Sequence, residues 1–236
     1  MTGTASDDPR IQAGMRRQFA LFDERKQSGA RRIGWKVGFG APAAKEKLKI
    51  GAPLVGFLLD RAILPDGASV SLASWTKPAA EPEIAVEIGR DVPAGVSEQD
   101  AAQSIAAIGP AIELADIDGP IDDVEQILAG DIFQRHVLFG PRRAVALPGG
   151  LTALTGEVIR SGQSVPVPAD LEANTGRLLD IVRQVAATLA AFGEVLRAGD
   201  VVIAGSVTPP LFLGADDRTL SWELAPIGKV SVNFAG

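Results

Sequence analysis

The sequence predicts an α+β fold: a mixed sheet, rolled or strongly bent, with flanking helices and a helical N-terminal segment. Strand and helix patterns do not alternate regularly along the 236 residues, which disfavours a doubly wound parallel sheet. Short apolar or alternating runs bounded by glycine and proline are typical of strands and dominate the second half of the chain. No repeat, low-complexity tract or linker divides the sequence. We therefore interpret residues 1–236 as a single domain, with residues 1–30 as an N-terminal helical appendage.

Helices are predicted from caps, apolar spacing and stop signals. In chain order, the first helix runs from a cap at Ser6, Asp7 or Asp8 to Gly29, and the second covers residues 43–49. The third runs from the capping-box pattern at Ser97 to Gly109–Pro110. The fourth, which is predicted to be the longest, covers residues 177–192. Strands are predicted over residues 33–38, 54–59, 80–88, 157–160, 164–167, 201–204, 220–224 and 230–234. A turn at Ser161–Gln163 is predicted to join strands 157–160 and 164–167 into one hairpin. A turn at Pro226–Gly228 is predicted to join strands 220–224 and 230–234 into another.

The composition limits the kinds of partner that the protein is expected to bind. A net charge of −6 and a pI near 4.9 argue against a nucleic-acid partner, because binding to polyanions relies on clustered Lys and Arg. No apolar run is long enough to cross a bilayer, so no membrane partner is expected. The N-terminus lacks the basic and apolar regions of a signal peptide, and the chain has no cysteine. Both features fit a cytoplasmic location.

Two glutamates one residue apart, Glu81 and Glu83, are the most informative feature. Side chains alternate faces along a strand, so both project from the same side, roughly 6.5–7 Å apart. Ile84, Val86 and Ile88 occupy the other face and mark it as buried. Two adjacent carboxylates repel unless a cation lies between them, and hard divalent cations prefer oxygen ligands.

A third glutamate, Glu113, lies alone in the apolar stretch from Pro110 to Ala115. A buried carboxylate without a partner is very costly, so Glu113 needs a cation or a donor nearby. With Glu81 and Glu83 it forms a candidate three-carboxylate metal site. The alternative for the pair is the solvated face of an edge strand, where Pro82 would be tolerated.

Lys36, Asp131 and His136 are further residues to consider for the site. Lys36 lies among glycines that allow a ligand to approach the backbone, and a partly buried lysine is a tunable acid or base; a surface lysine on a short strand is the alternative. Asp131 is either a loop residue or faces the site. The only histidine, His136, is interpreted as a strand residue with a structural hydrogen bond.

Four segments in the same order and spacing resemble the 2-keto-4-pentenoate hydratase / 4-oxalocrotonate decarboxylase group of the fumarylacetoacetate hydrolase superfamily. They are Gly34-Trp35-Lys36-Val37-Gly38, Glu81-Pro82-Glu83-Ile84-Ala85 followed by Ile88-Gly89-Arg90-Asp91, Ala111-Ile112-Glu113-Leu114-Ala115-Asp116, and Leu196-Arg197-Ala198-Gly199-Asp200-Val201-Val202. The resemblance extends from about residue 30 to the C-terminus. The chain departs from the group at residues 131–135, where relatives have small polar residues, and at Ala204, where a serine is common.

The resemblance implies the superfamily's mixed β-rich fold, a bound Mg²⁺ or Mn²⁺, and a homo-oligomer. It implies that Glu81, Glu83 and Glu113 bind the metal together with a 2-oxo or 2-hydroxydienoic acid. It also implies that Lys36 is the catalytic proton-transfer or electrostatic group.

The implied activity is that of a metal-dependent lyase in aromatic-type catabolism, a hydratase that adds water to a 2-hydroxy-2,4-dienoate or 2-oxo-4-enoate. The alternatives are a decarboxylase of a 2-oxo dicarboxylate and, less favoured, a C–C hydrolase or a non-catalytic relative. Substrate contacts are assigned to Asp131, Phe133, Gln134 and Arg135. The larger, partly aromatic and cationic side chains of this stretch are expected to favour a dicarboxylic or otherwise elaborated 2-oxo acid, with Arg135 pairing with a second carboxylate. The alternative is that Arg135 points to solvent and Phe133 only packs.

Overall fold

The computed structural model describes residues 7–147 and 149–235. The helices are α1 (Pro9–Gln27), α2 (Pro42–Leu48), α3 (Glu98–Ser104), α4 (Val124–Ala129) and α5 (Leu178–Ala191), with 3₁₀ turns at Asp60–Ala62, Asp131–Phe133 and Gly150–Ala153. The strands are β1 (Arg32–Gly38), β2 (Leu54–Leu59), β3 (Ile63–Leu64), β4 (Ser69–Ser71), β5 (Pro78–Ile88), β6 (Ile105–Asp116), β7 (Gln134–Phe139), β8 (Thr155–Arg160), β9 (Gln163–Val165), β10 (Val201–Ser206), β11 (Leu211–Phe212), β12 (Thr219–Ala225) and β13 (Gly228–Ala235).

The strands of the described residues form two mixed sheets, which confirms the α+β prediction. The larger sheet has the order β2-β1-β10-β5-β6-β7-β3, with β11 added to the end of β5. The smaller sheet has the order β4-β13-β12-β8-β9 and contains both predicted hairpins. The long antiparallel pair β5–β6 lies at the centre of the larger sheet, and it carries the glutamates of the candidate site.

The main core lies on the face of β5 that the sequence marked as buried. Ile84, Val86 and Ile88 pack there in one apolar cluster with residues of α5 and of the smaller sheet. Trp222 of β12 is fully buried in this cluster, and its Nε1 donates a hydrogen bond of 2.8 Å to the carbonyl of Glu83. The smaller sheet is thereby tied to the strand that carries the candidate metal ligands.

The helix α1 begins at the cap Asp8, whose side chain accepts a hydrogen bond from the backbone N–H of Arg10 at 2.9 Å. Ser6, another of the predicted caps, lies outside the described residues. The helix buries Met15 and Phe22 and packs closely on α4, where Gly14 leaves room for Leu128. None of the helices in the described part of the chain has both the length and the apolar composition that a membrane crossing requires.

Three expectations from the sequence were wrong. The helix that begins at Ser97 ends at Ser104, and the chain continues directly into β6, which contains Gly109 and Pro110. A Cβ on Gly109 would lie 2.2 Å from the carbonyl oxygen of Pro141, so this glycine allows close packing and does not stop a helix. The longest helix is α1 with 19 residues, whereas α5 has 14. The edge-strand alternative for Glu81 and Glu83 also fails, because β5 is paired on both sides.

Gly34 is required by the parallel pairing of β1 with β10. A Cβ on Gly34 would lie 1.8 Å from the carbonyl oxygen of Val201, its partner in the register. Because this contact is with backbone, relief requires the strands to separate. The position lies two residues before Lys36, so the same pairing fixes where that lysine enters the candidate site.

We predict that Gly34→Ala destabilises the protein by about 3 kcal/mol or more, since the added methyl overpacks a paired backbone. For a domain of this size the loss corresponds to a Tm lower by about 6–12 °C, measurable by thermal denaturation. Gly51→Ala is the control, because a Cβ at Gly51 meets nothing within 4 Å. Equal melting temperatures for the two variants would contradict the packing argument.

Candidate metal centre

The register of β5 and β6 brings the three predicted glutamates together. Glu81 lies directly opposite Glu113, and Glu83 is the next residue on the same face of β5. One carboxylate oxygen from each of the three lies within 4.8 Å of the others. Glu83 and Glu113 are fully buried, and Glu81 is partly exposed toward a cavity. The three carboxylates therefore form one cluster at the cavity wall.

Two oxygens of this cluster lack a hydrogen-bond donor among the residues that the structure describes. Glu83 accepts a bond from the Gly205 backbone N–H at 2.7 Å through Oε2, but its Oε1 has no partner. Glu113 accepts from Lys36 through Oε1, but its Oε2 has no partner. Buried carboxylate oxygens without donors are the ligands that a hard divalent cation prefers. The donor set thus fits the Mg²⁺ or Mn²⁺ that the resemblance implies.

The electrostatics of the cluster lead to the same conclusion. Burial and the nearby Glu113 carboxylate raise the pKa of Glu81 to about 7. Burial, followed by the charges of Glu113 and Glu81, raises the pKa of Glu83 well above its usual value. Carboxylates so close together resist ionisation because their charges repel in a poorly solvated site. A bound cation would remove this penalty.

Lys36 of β1 brings a buried positive charge to the cluster. Its Nζ donates to Glu113 Oε1 and, at 3.1 Å, to the carbonyl oxygen of Ile132. Burial alone would lower the pKa of Lys36, but the carboxylates of Glu113, Glu81 and Asp131 outweigh this effect and raise it. The side chain is therefore held as an ammonium group, and it reaches the cavity wall.

The residues that hold Lys36 form a left-handed turn. Asp131, Ile132 and Phe133 have φ angles of 58°, 52° and 63°, a conformation that costs about 1–2 kcal/mol for each non-glycine residue. Asp131 Oδ1 anchors the turn by accepting a bond of 2.9 Å from the Phe57 backbone N–H. Glycine at position 38 leaves room for the Ile132 side chain, since a Cβ there would lie 2.7 Å from Ile132 Cγ2. The turn directs the Ile132 carbonyl at the Lys36 ammonium group.

Of the four predicted substrate contacts, one lines the cavity and three do not. Phe133 lines the cavity. Asp131 is buried behind Lys36, and burial raises its pKa to about 8 despite the nearby ammonium group. Gln134 is buried in β7 and is not part of the cavity wall. Arg135 also lies outside the wall, because its guanidinium pairs with Asp118 and lies 3.8 Å from Asp116.

The cavity has a volume of about 260 Å³ and is lined by both polar and apolar residues. We call the part of its wall at Lys36 and Glu81 the polar end, and the part at Ile117, Ile121 and Phe212 the apolar end. The sequence did not indicate several of the cavity's lining residues, which are Lys77, Ile117, Ile121, Asn174, Thr175, Ser206 and Phe212. These residues come from loops and strand ends far apart in the chain. The position of Ser206 after a buried strand was the one local signal for any of them.

Asn174 closes the polar end of the cavity. Its Nδ2 donates to the carbonyl of Ser206 at 2.7 Å and to that of Thr208 at 3.2 Å. These bonds hold the loop before α5 against the end of β10, where Gly205 has a φ of 87°. The left-handed conformation of Gly205 bends β10 so that its N–H faces Glu83. The loop and the bend together enclose the glutamate cluster.

The cluster of three carboxylates beside a buried lysine at the centre of the sheet is a candidate metal site, and comparisons with known proteins identify the family. The family model described as fumarylacetoacetate (FAA) hydrolase C-terminal matches residues 35–234. The chain is 30% identical over 218 residues to 2-hydroxyhexa-2,4-dienoate hydratase of Comamonas testosteroni, covering 89% of this chain and 81% of that protein. It is 24% identical over 241 residues to 4-oxalocrotonate decarboxylase of a Pseudomonas species, covering 99% and 90%.

The fold comparison agrees. The structure of 4-oxalocrotonate decarboxylase from Pseudomonas putida G7, complexed with magnesium and adipate, superimposes with a TM-score of 0.83 at 24% identity, covering 92% of this chain and 83% of that one. The chain belongs to the fumarylacetoacetate hydrolase family. The family prediction made from the four sequence segments is confirmed.

We predict that Mg²⁺ or Mn²⁺ stabilises the protein through the glutamate cluster. A ligand that binds only the folded state at about 100 times its Kd adds about 2.7 kcal/mol, or a Tm rise of about 5–10 °C. Glu83→Gln should abolish the rise while keeping the hydrogen bond from Gly205. Without metal this variant should be at least as stable as the wild type, since an amide replaces a carboxyl group whose ionisation burial and the neighbouring carboxylates oppose.

Glu87→Gln is the matched control for this thermal-shift and calorimetric experiment. Glu87 lies on the same strand and face but pairs with Arg142 at 3.1 Å, outside the cluster. It should bind metal like the wild type. Failure of the wild type to bind Mg²⁺ or Mn²⁺, even with oxalate or pyruvate present, would contradict the metal assignment.

We also predict that the hydrogen bond from the Phe57 N–H to Asp131 stabilises the fold. Asp131→Ala leaves the buried Phe57 N–H without an acceptor, which costs about 1–3 kcal/mol. Asp131→Asn retains an oxygen at the same place and should keep most of this stability. Chemical denaturation of both variants measures the difference, and equal losses would show that the hydrogen bond does not hold the turn.

Proposed function

We propose that this protein is a divalent-metal-dependent lyase that acts on a 2-oxo acid or its 2-hydroxydienoic form, with hydration as the leading reaction. The observation that carries the proposal is the cluster of Glu81, Glu83 and Glu113 beside the Lys36 ammonium group, next to a cavity that Glu81 and Lys36 line. Family relatives named as a hydratase and a decarboxylase support it.

The three glutamates would hold the metal, with the unpartnered oxygens of Glu83 and Glu113 and a carboxylate oxygen of Glu81 as ligands. A divalent cation bound there supplies positive charge that stabilises the negative charge developing on the 2-oxygen of the substrate. Gly205 keeps one Glu83 oxygen occupied, so the other is directed into the cluster. The fixed strand backbones keep these ligands in place while substrate enters from the open side.

Lys36 is the proposed proton-transfer group. Its Nζ is held from two directions, by Glu113 and by the Ile132 carbonyl, so the ammonium group does not swing away from the cavity. The carboxylates around it keep the proton on nitrogen. A lysine in this state can donate a proton to a substrate carbon or oxygen and so become a neutral amine. Glu113, which stabilises the ammonium form, then favours return of a proton to the nitrogen.

Hydration leads because the relative named as a hydratase is 30% identical to the chain. Decarboxylation of a 2-oxo dicarboxylate is the alternative, supported by the decarboxylase relative that covers 99% of the chain. C–C hydrolysis is disfavoured because His136, the only histidine, lies in β7 against Trp75 and is not part of the cavity wall. A non-catalytic role is disfavoured because the chain has Lys36 and all three glutamates that the family resemblance implies.

The deciding experiment is an ultraviolet assay with added Mg²⁺ or Mn²⁺ over a panel of 2-hydroxydienoates and 2-oxo acids. Loss of dienol absorbance without CO₂ release indicates a hydratase, and stoichiometric CO₂ release indicates a decarboxylase. Absence of both across the panel would overturn the proposal. Assembly into a homo-oligomer, which the resemblance implies, belongs to the same proposal and is measured by analytical ultracentrifugation.

We predict that Lys36→Met lowers turnover by about 10²-fold or more, the usual scale for a positioned acid or base. Lys36→Gln, which keeps a donor toward Glu113, should lose activity equally. Both should retain metal binding and, with metal bound, melt within a few degrees of the wild type. The control Lys47→Met removes an exposed lysine of α2. Turnover near the wild-type rate in either Lys36 variant would remove Lys36 from the mechanism.

A further inference from the structure

The strand that carries the metal ligands also carries a cation at the far end of the cavity. Lys77 directly precedes β5, and Lys77, Ala79 and Glu81 all line the cavity. Residues two apart on a strand share a face and lie about 6.5–7 Å apart. The same strand face therefore presents, in order, a cation, a methyl group and a metal-cluster carboxylate.

The middle of this row is small and apolar. Ala79 is paired with Ala115 of β6 on one side and with Phe212 of β11 on the other. Ile117 and Ile121 complete the apolar wall nearby. A carbon chain extending from the glutamate cluster along β5 would pass the Ala79 methyl group before it reaches Lys77.

Lys77 is prepared to receive an anion. Its backbone is fixed by an N–H bond of 2.7 Å to Asp116 Oδ1, and its Nζ lies 4.4 Å from the centre of the Phe212 ring. Within the described residues no carboxylate pairs with its ammonium group. The other lysine of the cavity wall, Lys36, is already paired with Glu113.

We propose that Lys77 binds the distal carboxylate of a 2-oxo or 2-hydroxydienoic dicarboxylate whose 2-oxo acid end lies at the glutamate cluster. This inference rests on the proposed function and specifies its substrate class. It also moves the recognition of the second carboxylate, which the sequence assigned to Arg135, to a residue that faces the cavity. The alternative occupant of the apolar end is an uncharged alkyl tail, with Lys77 in solvent.

The test compares two ligands that differ only in their far end, 2-oxoadipate and 2-oxohexanoate, by calorimetry with saturating Mg²⁺. The wild type should bind 2-oxoadipate about tenfold more tightly, the scale of one charge-assisted hydrogen bond. Lys77→Met should lose this preference by weakening 2-oxoadipate alone, because methionine keeps the contact with the Phe212 ring. Lys77→Arg should keep the preference.

Lys26→Met is the matched control, since Lys26 also lies over a phenylalanine ring, at 4.2 Å from the centre of Phe22, but on α1 outside the cavity wall. It should behave like the wild type. Equal binding of the two ligands, or tighter binding of 2-oxohexanoate, would overturn the role of Lys77 and leave the proposed function intact. So would an equal loss for both ligands in Lys77→Met. If neither ligand binds in a Mg²⁺-dependent way, the proposed function fails, and this inference fails with it.

Discussion

Burial of several like charges in one place is the constraint on which the rest of the structure depends. Fully ionised, Glu81, Glu83 and Glu113 would carry three negative charges within one cluster, and Lys36 returns one positive charge. The two remaining negative charges equal the charge of one divalent cation. A buried charge without compensation costs several kcal/mol, so the cluster is stable only with its partners in place. The carboxylate ligands, the ammonium group and the proposed cation therefore form one electrostatic unit.

The surrounding architecture supplies the space and the dipoles that this unit needs. Lys36 passes over Gly56, where a Cβ would lie 2.9 Å from Lys36 Cγ and 2.8 Å from Asp131 Oδ1. The strained turn that begins at Asp131 directs the Ile132 carbonyl at the Lys36 ammonium group. Its side chains Ile132 and Phe133 pack in an apolar cluster with α1 and α4, which offsets the strain. The N-terminal helix thus supports the chemistry from a distance without contacting the cluster.

Side-chain alternation within a strand and the two short hairpins were predictable, and pairing between strands that no short turn joins was not. The sequence placed Glu81 and Glu83 on one face by period alone, and the apolar flanks of Glu113 marked it as buried. That Glu113 lies opposite Glu81 depends on the register of β5 and β6, which no local signal encodes. The end of α3 failed for a related reason: its cap is local, but the strand that follows forms because β5 pairs with it. Chain position also does not give the direction of a side chain, and the Arg135 guanidinium pairs with Asp118 outside the cavity wall.

The site divides into a fixed part and a variable part, and the division follows the sheet. The metal-cluster glutamates and Lys36 lie within strands that are paired on both sides, so any displacement breaks ladder hydrogen bonds as well as the charge balance. Lys77, Ile121 and Phe212 lie at strand ends or in loops around the apolar end of the cavity. Substitution there changes the surface presented to the substrate tail at little cost to the buried charges. In this chain, the residues that would select a substrate tail are thereby separated from the residues that would hold the metal.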